Sequence, residues 1–228
     1  LDAKHVRAHF LQLLREPDLR LTQGYVRDAR SVGLDLGLWV NQDKGRKLVT
    51  AEYVHGKTGL DGIALPDPVM PLAEGHAVDF LIETLREEAP GTVTLCPIGP
   101  LTNIATAFAR APDIVPRVAE IVLMGGAYFE VGNVTPAAEF NIHVDPEAAE
   151  IVFRSGAPVV VMPLDVTHRA LTTRARVEGF RNLGTRVGHA VATWTDFFER
   201  FDMAKYGPEG APMHDPCTRP MTGLGQRR

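Results

Sequence analysis

From about residue 76 onward, helix-like and strand-like spacings of apolar residues follow one another along the chain. The first helix-like stretch has apolar residues at i, i+3, i+4 and i+7, and Pro90-Gly91 ends it. A second helix is predicted over residues 101–110 and ends near Pro112. A third begins at Asp145-Pro146-Glu147, where a capping side chain, a first-turn proline and a first-turn acid stand in the order that favours a helix start. The four apolar positions of the first helix are Val78, Leu81, Ile82 and Leu85.

Three short apolar runs between these helices predict β-strands. They are TVTLCP (92–97), EIVLMGG (120–126) and PVVVMPL (158–164). Strands that are apolar throughout and alternate with helices are typical of a parallel sheet covered on both faces. The sequence therefore predicts the α/β class, with a mostly parallel, Rossmann-like open sheet and helices on both faces.

The N-terminal region follows neither pattern. Its first part, HVRAHFLQLLRE, is compatible with a helix, but the residues after it show no sustained period of 2 or 3.6. We therefore leave residues 1–46 unassigned and expect one α/β domain over residues 47–228.

The predicted strand ends indicate where a ligand would bind. In open α/β sheets the ligand lies beyond the carboxyl ends of the strands. Those ends are followed here by residues 98–103, by Met124-Gly125-Gly126 and by residues 165–168, which include Ile98, Asp165 and His168. We expect these loops to converge on one pocket.

Composition and charge argue against several function classes. The chain has 228 residues, of which 45% are hydrophobic and 23% charged, as in a soluble globular protein. Its 24 basic and 28 acidic residues give a net charge of −4, without the basic excess of nucleic-acid-binding proteins. No apolar run is long enough to span a bilayer, and the N-terminus lacks an apolar signal core. The two cysteines, Cys96 and Cys217, are too few for a disulfide framework, so we expect a cytoplasmic protein.

Two common nucleotide-binding motifs are not met. Gly56-Lys57-Thr58 resembles the end of a phosphate-binding loop, but position 51, where that loop needs its first glycine, is Ala. The residues after Thr58 are also a poor helix start. No GxGxxG follows a strand, which argues against a dinucleotide fold.

The loop over residues 132–141 places polar side chains just beyond the second predicted strand. Asn133, Glu139 and Asn141 offer a carboxylate and two carboxamides, which can make directional hydrogen bonds to a polyol. The alternative is a loop in which these side chains cap their own backbone.

A second polar cluster is Met213-His214-Asp215-Pro216. An Asp in a proline-stiffened loop can be a hard oxygen ligand for Ca²⁺ or Mg²⁺, and a histidine readily gives up a proton near neutral pH. The alternative is an ordinary turn or helix start. His55 and His168 are further candidates, although a single histidine is more often packed or solvated.

Six segments, in order and at credible spacing, resemble the inosine-uridine nucleoside hydrolases. The likeness spans Lys47 to Cys217, and six ordered motifs are far more specific than any one of them. They are VHGKTGLDG (54–62), PIGPLTNIA (97–105), IVLMGGAY (121–128), AEFNIHVDPEAA (138–149), LDVTH (164–168) and GAPMHDPC (210–217). The resemblance implies a Ca²⁺-dependent enzyme that cleaves the N-glycosidic bond of ribonucleosides to ribose and free base, and a homo-oligomer, dimer or tetramer.

The resemblance also implies roles for individual residues. Asp215 and the carbonyl oxygen of Ile98 would bind calcium, and His214 would protonate the leaving base. Residues of the substrate pocket would be His55 on the base side, Met124 near the 5′ end of the sugar, and Asn133, Glu139 and Asn141 on the ribose hydroxyls. A histidine before the metal Asp resembles the base-unspecific members, which points to inosine and uridine.

The chain departs from the family at its N-terminal end. The family has an Asp-rich motif, D-x-D-x-G-x-D-D, after its first strand, and this motif supplies most of the calcium carboxylates and the general base. The printed chain has no Asp-Asp pair, and Asp35-Leu36-Gly37 is its nearest counterpart. We expect a truncated or frame-disrupted member with impaired metal binding. The alternatives are a non-catalytic ribose- or nucleoside-binding protein and a structural fragment without a ligand.

Overall fold

A computed structural model describes residues 62–63, 75–206 and 210–218, without the side chains of residues 202–206. Residues 1–46, His55 and the Gly56-Lys57-Thr58 motif lie outside the described residues. The described chain divides into two compact units. The first comprises residues 75–170 and 213–218, and the second comprises residues 62–63, 171–206 and 210–212.

The first unit alternates helices with parallel strands. Its strands are β1 (Val93–Leu95), β2 (Val118–Met124) and β3 (Val159–Met162). Its α-helices are α1 (Ala77–Glu87), α2 (Thr102–Arg110), α3 (Phe140–Val144), α4 (Pro146–Arg154) and α5 (Leu164–Thr167), and its 3₁₀-helices are Pro112–Arg117 and Asp215–Thr218.

The sheet of the first unit has the order β1-β2-β3, and both strand pairs are parallel. Leu95 pairs with Ile121 and Met124 with Met162, so the carboxyl ends of the strands lie at one edge. Ile121, Val122, Leu123 and Met124 are all buried. Because successive strand residues point to opposite faces, both faces of β2 are covered. The predicted α/β class with a parallel sheet is confirmed.

The helix starts follow from particular capping side chains. Nδ1 of His76 accepts the N–H of Val78 at the start of α1. Asp145 is fully buried at the start of α4, where its carboxylate accepts the Ala148 N–H at 3.1 Å and the Thr102 hydroxyl at 2.6 Å. The predicted cap at Asp145 is confirmed, and its second bond ties the start of α2 to the start of α4. Apolar side chains of α1, α2, α4 and the strands form the core around Leu85, Phe108, Ile121 and Val152.

The second unit contains a short antiparallel ladder and two helices. β4 (Leu171–Thr172) pairs with β5 (Ala211–Pro212), and the Thr172 hydroxyl donates to the Ala211 carbonyl. The helices are α6 (Arg174–Asn182) and α7 (Arg186–Tyr206), which Arg174 of α6 and Asp196 of α7 link by an ion pair of 3.1 Å. Within the described residues, no helix combines the length and apolar character needed to cross a membrane.

Candidate active site

Backbone hydrogen bonds join the three strand ends at the carboxyl edge of the sheet. The N–H of Met124 donates to the carbonyl of Pro97, which precedes Ile98 in the loop after β1. The N–H of Gly125 donates to the carbonyl of Met162, and the N–H of Leu164 donates to the carbonyl of Gly126. The loops after β1, β2 and β3 therefore meet, as the strand-end argument predicts.

Glu139 is a buried carboxylate held by backbone N–H groups. It caps α3, where its two oxygens share the N–H of Asn141 at 2.9 Å. Oε2 also accepts the N–H of Gly126 at 3.0 Å and that of Ile142 at 3.3 Å. Burial raises the pKa of Glu139, and these N–H bonds oppose that rise. A carboxylate has about four acceptor positions, so Oε1, which only shares one N–H, keeps capacity for a further donor.

Two glycines make room for this carboxylate. A Cβ at Gly125 would lie 3.4 Å from Glu139 Oε2 and 3.2 Å from Cδ1 of Ile142. Gly126 has φ of +82°, in the left-handed region that side chains disfavour. The Gly-Gly after β2 thus lets the backbone N–H approach Glu139.

Asn141 connects Glu139 to the end of β2. Its buried side-chain amide donates to the Met124 carbonyl at 3.0 Å and lies 3.3 Å from the Met124 sulfur. Asn133 approaches the same segment, because its Oδ1 accepts the N–H of Phe140 at 2.8 Å. The alternative of side chains that cap their own loop is therefore realised for Asn133 and Glu139. Both nevertheless stay at the carboxyl edge of the sheet together with Asn141 and Met124.

His214 and Asp215 lie at the start of the second 3₁₀-helix, which packs against β2. Nδ1 of His214 is 2.8 Å from the hydroxyl oxygen of Thr167 in α5. The ring centroid of His168 is 6.1 Å from that of His214, and Nδ1 of His168 is 3.4 Å from a carboxylate oxygen of Glu130. Asp215 is thus the first residue of a helix, which is the ordinary role that the sequence analysis gave as the alternative for His-Asp-Pro. It also lies near Glu139.

The carboxylates of Asp215 and Glu139 are close enough to repel each other. The pKa of Asp215 is raised to about 6, first by burial and then by the charge of Glu139. Asp215 itself is exposed to solvent. A cation beside it would offset this repulsion.

Asp215 is a hard oxygen donor and so fits the calcium that the family resemblance implies. Ile98, the other predicted ligand, lies in the loop after β1 at the same edge, and its side chain is exposed. No three His, Cys, Asp or Glu side chains form a potential metal site within residues 75–206 and 210–218. The described residues therefore fit a hard cation through Asp215 but do not make a complete binding site by themselves.

Asp165 organises the loop after β2, a role that the sequence analysis did not assign. Its carboxylate accepts three backbone N–H groups, from Tyr128 at 2.9 Å, Phe129 at 2.8 Å and Glu130 at 3.2 Å. The N–H bond from Tyr128 and those from its neighbours lower the pKa of Asp165. The position of Asp165 at a strand end could be predicted from the sequence. Its bonds to a loop more than 30 residues away could not, because no local pattern indicates them.

The structure brings most of the predicted site residues to one edge of the sheet. Asn141 is hydrogen-bonded to both Met124 and Glu139, Asn133 accepts the N–H of the intervening Phe140, and Asp215 lies near Glu139. Gly125-Gly126 and Thr167 lie in the strand-end loops expected to form the site but had no predicted role of their own, and Glu130 was not predicted there. Their roles depend on contacts across the fold.

A family model described as inosine-uridine preferring nucleoside hydrolase matches residues 21–221. This match begins before Lys47, so it includes part of the segment that the six motifs do not reach. An uncharacterised protein of Schizosaccharomyces pombe is 52% identical over 173 residues, which are 76% of this chain and 56% of that protein. The pyrimidine-specific ribonucleoside hydrolase RihA of Salmonella typhi is 46% identical over 209 residues, 91% of this chain and 62% of RihA.

Solved structures give the same result. The purine-preferring ribonucleoside hydrolase of Gardnerella vaginalis superposes with a TM-score of 0.71 at 37% identity, over 76% of this chain and 55% of that one. A plant nucleoside hydrolase gives a TM-score of 0.68 at 34% identity, over 76% and 54%. The chain spans little more than half the length of these relatives. With its motifs, its sheet and its matched length all in agreement, the chain belongs to the inosine-uridine preferring nucleoside hydrolase family.

Proposed function

We propose that this chain hydrolyses the N-glycosidic bond of ribonucleosides to ribose and free base. The observation that supports this most is Glu139, a buried carboxylate fixed by backbone N–H groups beside the Asn141 amide and Asp215. Such a rigid acceptor suits sugar hydroxyls, because the donors that hold it need not reorganise when the sugar binds. Two of the relatives are named as ribonucleoside hydrolases, one pyrimidine-specific and one purine-preferring.

The residues of this edge suit the charge that the reaction develops. N-glycosidic cleavage passes through a sugar with oxocarbenium character, as in glycoside hydrolysis generally. The carboxylates of Glu139 and Asp215 make the site acidic, so they stabilise a developing positive charge. We propose that Glu139 and Asn141 orient the ribose hydroxyls, that Asn133 contacts the same hydroxyls and that Met124 contacts the 5′ side.

Departure of the base needs a proton, and we assign this to His214. Proton donation by a positioned side chain typically contributes about 10²- to 10⁴-fold in rate. For the metal we propose Ca²⁺, with Asp215 and the carbonyl of Ile98 among its ligands. When bound, calcium supplies a site that lowers the pKa of a water molecule. His55 lies outside the described residues, and we propose that it lines the base side of the pocket.

The proposal is tested by assaying ribose release from uridine and inosine with purified protein. We expect His214→Gln to lower the rate by about 100-fold or more. His143→Gln is the matched control, because His143 is an exposed histidine of α3 two residues from Asn141, and it should keep the original rate. Equal rates for the unmodified chain and His214→Gln would refute the assignment.

The second candidate is a ribonucleoside-binding protein without turnover. It is favoured by the lack of an Asp-Asp pair in the chain and of a three-residue metal cluster in the described part. Calorimetry with inosine separates the two candidates. Heat of binding without release of hypoxanthine or ribose supports the second candidate. Free hypoxanthine in the calorimeter solution after the titration supports hydrolysis.

We further propose a cytoplasmic homo-oligomer, a dimer or a tetramer, that binds neither nucleic acid nor membrane. Cys96 and Cys217 are both free thiols, which suits a reducing compartment. The negative net charge disfavours nucleic acid. The oligomeric state rests on the family resemblance alone, and light scattering of the purified chain tests it.

A further inference from the structure

Thr167 contacts the histidine that we assign as proton donor. It is the last residue of α5, the single helical turn that begins two residues after β3, and its side chain is fully buried. Its N–H donates to the Pro163 carbonyl, which fixes its backbone. Its hydroxyl oxygen lies 2.8 Å from Nδ1 of His214, 47 residues later in the chain. A buried hydroxyl requires a hydrogen-bond partner, and here that partner is the imidazole.

The same turn fixes the surroundings of this pair. Asp165 at its start binds the backbone of Tyr128, Phe129 and Glu130, and the Glu130 side chain in turn lies 3.4 Å from His168, the residue that follows α5. These contacts link α5 to the loop after β2.

We propose that Thr167 is a positioning residue, whose hydroxyl oxygen accepts the Nδ1–H of His214 so that Nε2 is the atom that gives its proton to the leaving base. This inference rests on the proposed function of His214. An imidazolium that donates Nδ1–H to Thr167 loses its other proton from Nε2, and the neutral ring that remains keeps the same bond. One acceptor therefore serves both protonation states and holds the ring orientation throughout the transfer.

The tautomer of His214 tests the inference without any turnover. The probe is the ¹⁵N spectrum of the side-chain nitrogens at pH 8, where an ordinary imidazole is neutral, with His214 identified by its absence in His214→Gln. We expect the Nδ1–H tautomer in the unmodified chain and in Thr167→Ser, which keeps a hydroxyl. We expect Thr167→Val, which keeps the shape but removes the acceptor, to move the signal toward the Nε2–H form. An Nε2–H tautomer in the unmodified chain, or no change in Thr167→Val, would overturn the proposal.

Kinetics provide the second readout, with two substrates that differ in the leaving group. We expect Thr167→Val to lower kcat for uridine by about 10-fold with KM little changed, and Thr167→Ser to recover most of it. A ribofuranoside of 4-nitrophenol loses a stable anion and needs no proton, so its kcat should stay within about 2-fold. Equal losses on both substrates would show a merely structural effect and overturn the proposal. If the unmodified chain cleaves neither substrate, the proposed function fails, and the tautomer still decides the role of Thr167.

Discussion

Glu139 combines two tasks that are usually separated. Its carboxylate caps α3 and binds the turn after β2, and we propose that it also binds the ribose hydroxyls. Because both oxygens accept backbone N–H groups, the side chain has one orientation. Burial raises the pKa of Glu139, and this cost of burying the charge is compatible with a site that receives a cationic sugar.

We predict that Glu139→Gln destabilises the chain as well as removing its activity. A Gln amide would turn an N–H₂ group toward at least one backbone N–H that the carboxylate now accepts. The expected loss is about 1–3 kcal/mol in the free energy of unfolding, measured by urea titration. Glu150→Gln is the control, because this residue is exposed and forms a surface ion pair with Arg154, and its effect should stay within about 0.5 kcal/mol. Equal stability of Glu139→Gln and the unmodified chain would contradict the bonding described here.

Asp215 leads to a prediction of opposite sign. Its folded pKa of about 6 exceeds the ordinary value of about 3.9, so the folded state binds the proton more tightly. Without added metal, the group therefore costs stability above pH 6, and this cost disappears as the pH falls from 6 to 4. Asp215→Asn should raise the free energy of unfolding by about 1 kcal/mol at pH 7 in EDTA and by almost nothing at pH 4. The gain at pH 7 is small because solvent screens the charge of this exposed group.

The matched control for Asp215→Asn is Asp113→Asn. The guanidinium of Arg86 beside Asp113 lowers the pKa of that carboxyl, so its removal should give no gain at pH 7. Urea unfolding at the two pH values measures both variants. A loss of stability in Asp215→Asn at pH 7 would contradict the repulsion between Asp215 and Glu139.

Among single residues, the sequence predicts the candidates that carry acidic, amide or imidazole groups in motifs, but it does not predict the residues that position them. Glu139, Asn141, His214 and Asp215 stand in recognisable motifs. The hydroxyl of Thr167 becomes meaningful only through a contact with His214, 47 residues away. Nothing in the local sequence signals such a contact, because it is set by how α5 and the second 3₁₀-helix meet in the fold.

The elements themselves are predictable where the apolar pattern is strong. β1 (Val93–Leu95), β2 (Val118–Met124) and β3 (Val159–Met162) all lie at the predicted runs. The predicted second strand included both glycines, whereas β2 ends at Met124, because Gly126 turns the chain with a positive φ. The five-residue α3 was not predicted, since a helix this short is too brief to show a period and depends on its cap, Glu139.

The loop after β2 gives the prediction at the element scale. Asp165→Asn should release the backbone of Tyr128, Phe129 and Glu130, because an amide accepts with only one of its two polar atoms. We expect amide hydrogen exchange at these three residues to rise by about 10-fold at pH 7. The lowered pKa of Asp165 keeps the carboxylate charged, so the unmodified loop should stay anchored at neutral pH and in weak acid.

The exposed Asp113 again provides the control for the loop. Asp113→Asn removes a carboxylate from the 3₁₀-helix Pro112–Arg117 and should leave exchange at the three amides unchanged. Unchanged exchange in Asp165→Asn as well would show that the loop does not depend on the Asp165 bonds.

The number of metal ligands in the whole molecule determines how tightly it can bind calcium. A protein calcium site collects six to eight oxygens, whereas the described residues supply Asp215 without a cluster of three side chains. We predict weak calcium binding by calorimetry, with a Kd of about 10⁻⁴ M or above. Asp215→Asn should remove the remaining heat, and Asp113→Asn should not. Tight, stoichiometric binding would mean that another carboxylate, such as Asp35, completes the site.

The family and the α/β sheet could be predicted from the sequence, because ordered motifs and apolar strand segments can be recognised without any knowledge of contacts. The division of the described chain into two units could not, since no linker marks it and residues 213–218 return to the first unit after the second.

We propose that this edge of the sheet hydrolyses ribonucleosides, and does so slowly, because the described residues contain no cluster of three metal-binding side chains. The initial rate of ribose release from uridine by the unmodified chain with calcium present, compared with the same assay without protein, tests this proposal. We predict release above that background at a rate far below the several per second common among enzymes. No release would contradict hydrolysis, and release at several per second would contradict the impaired metal site.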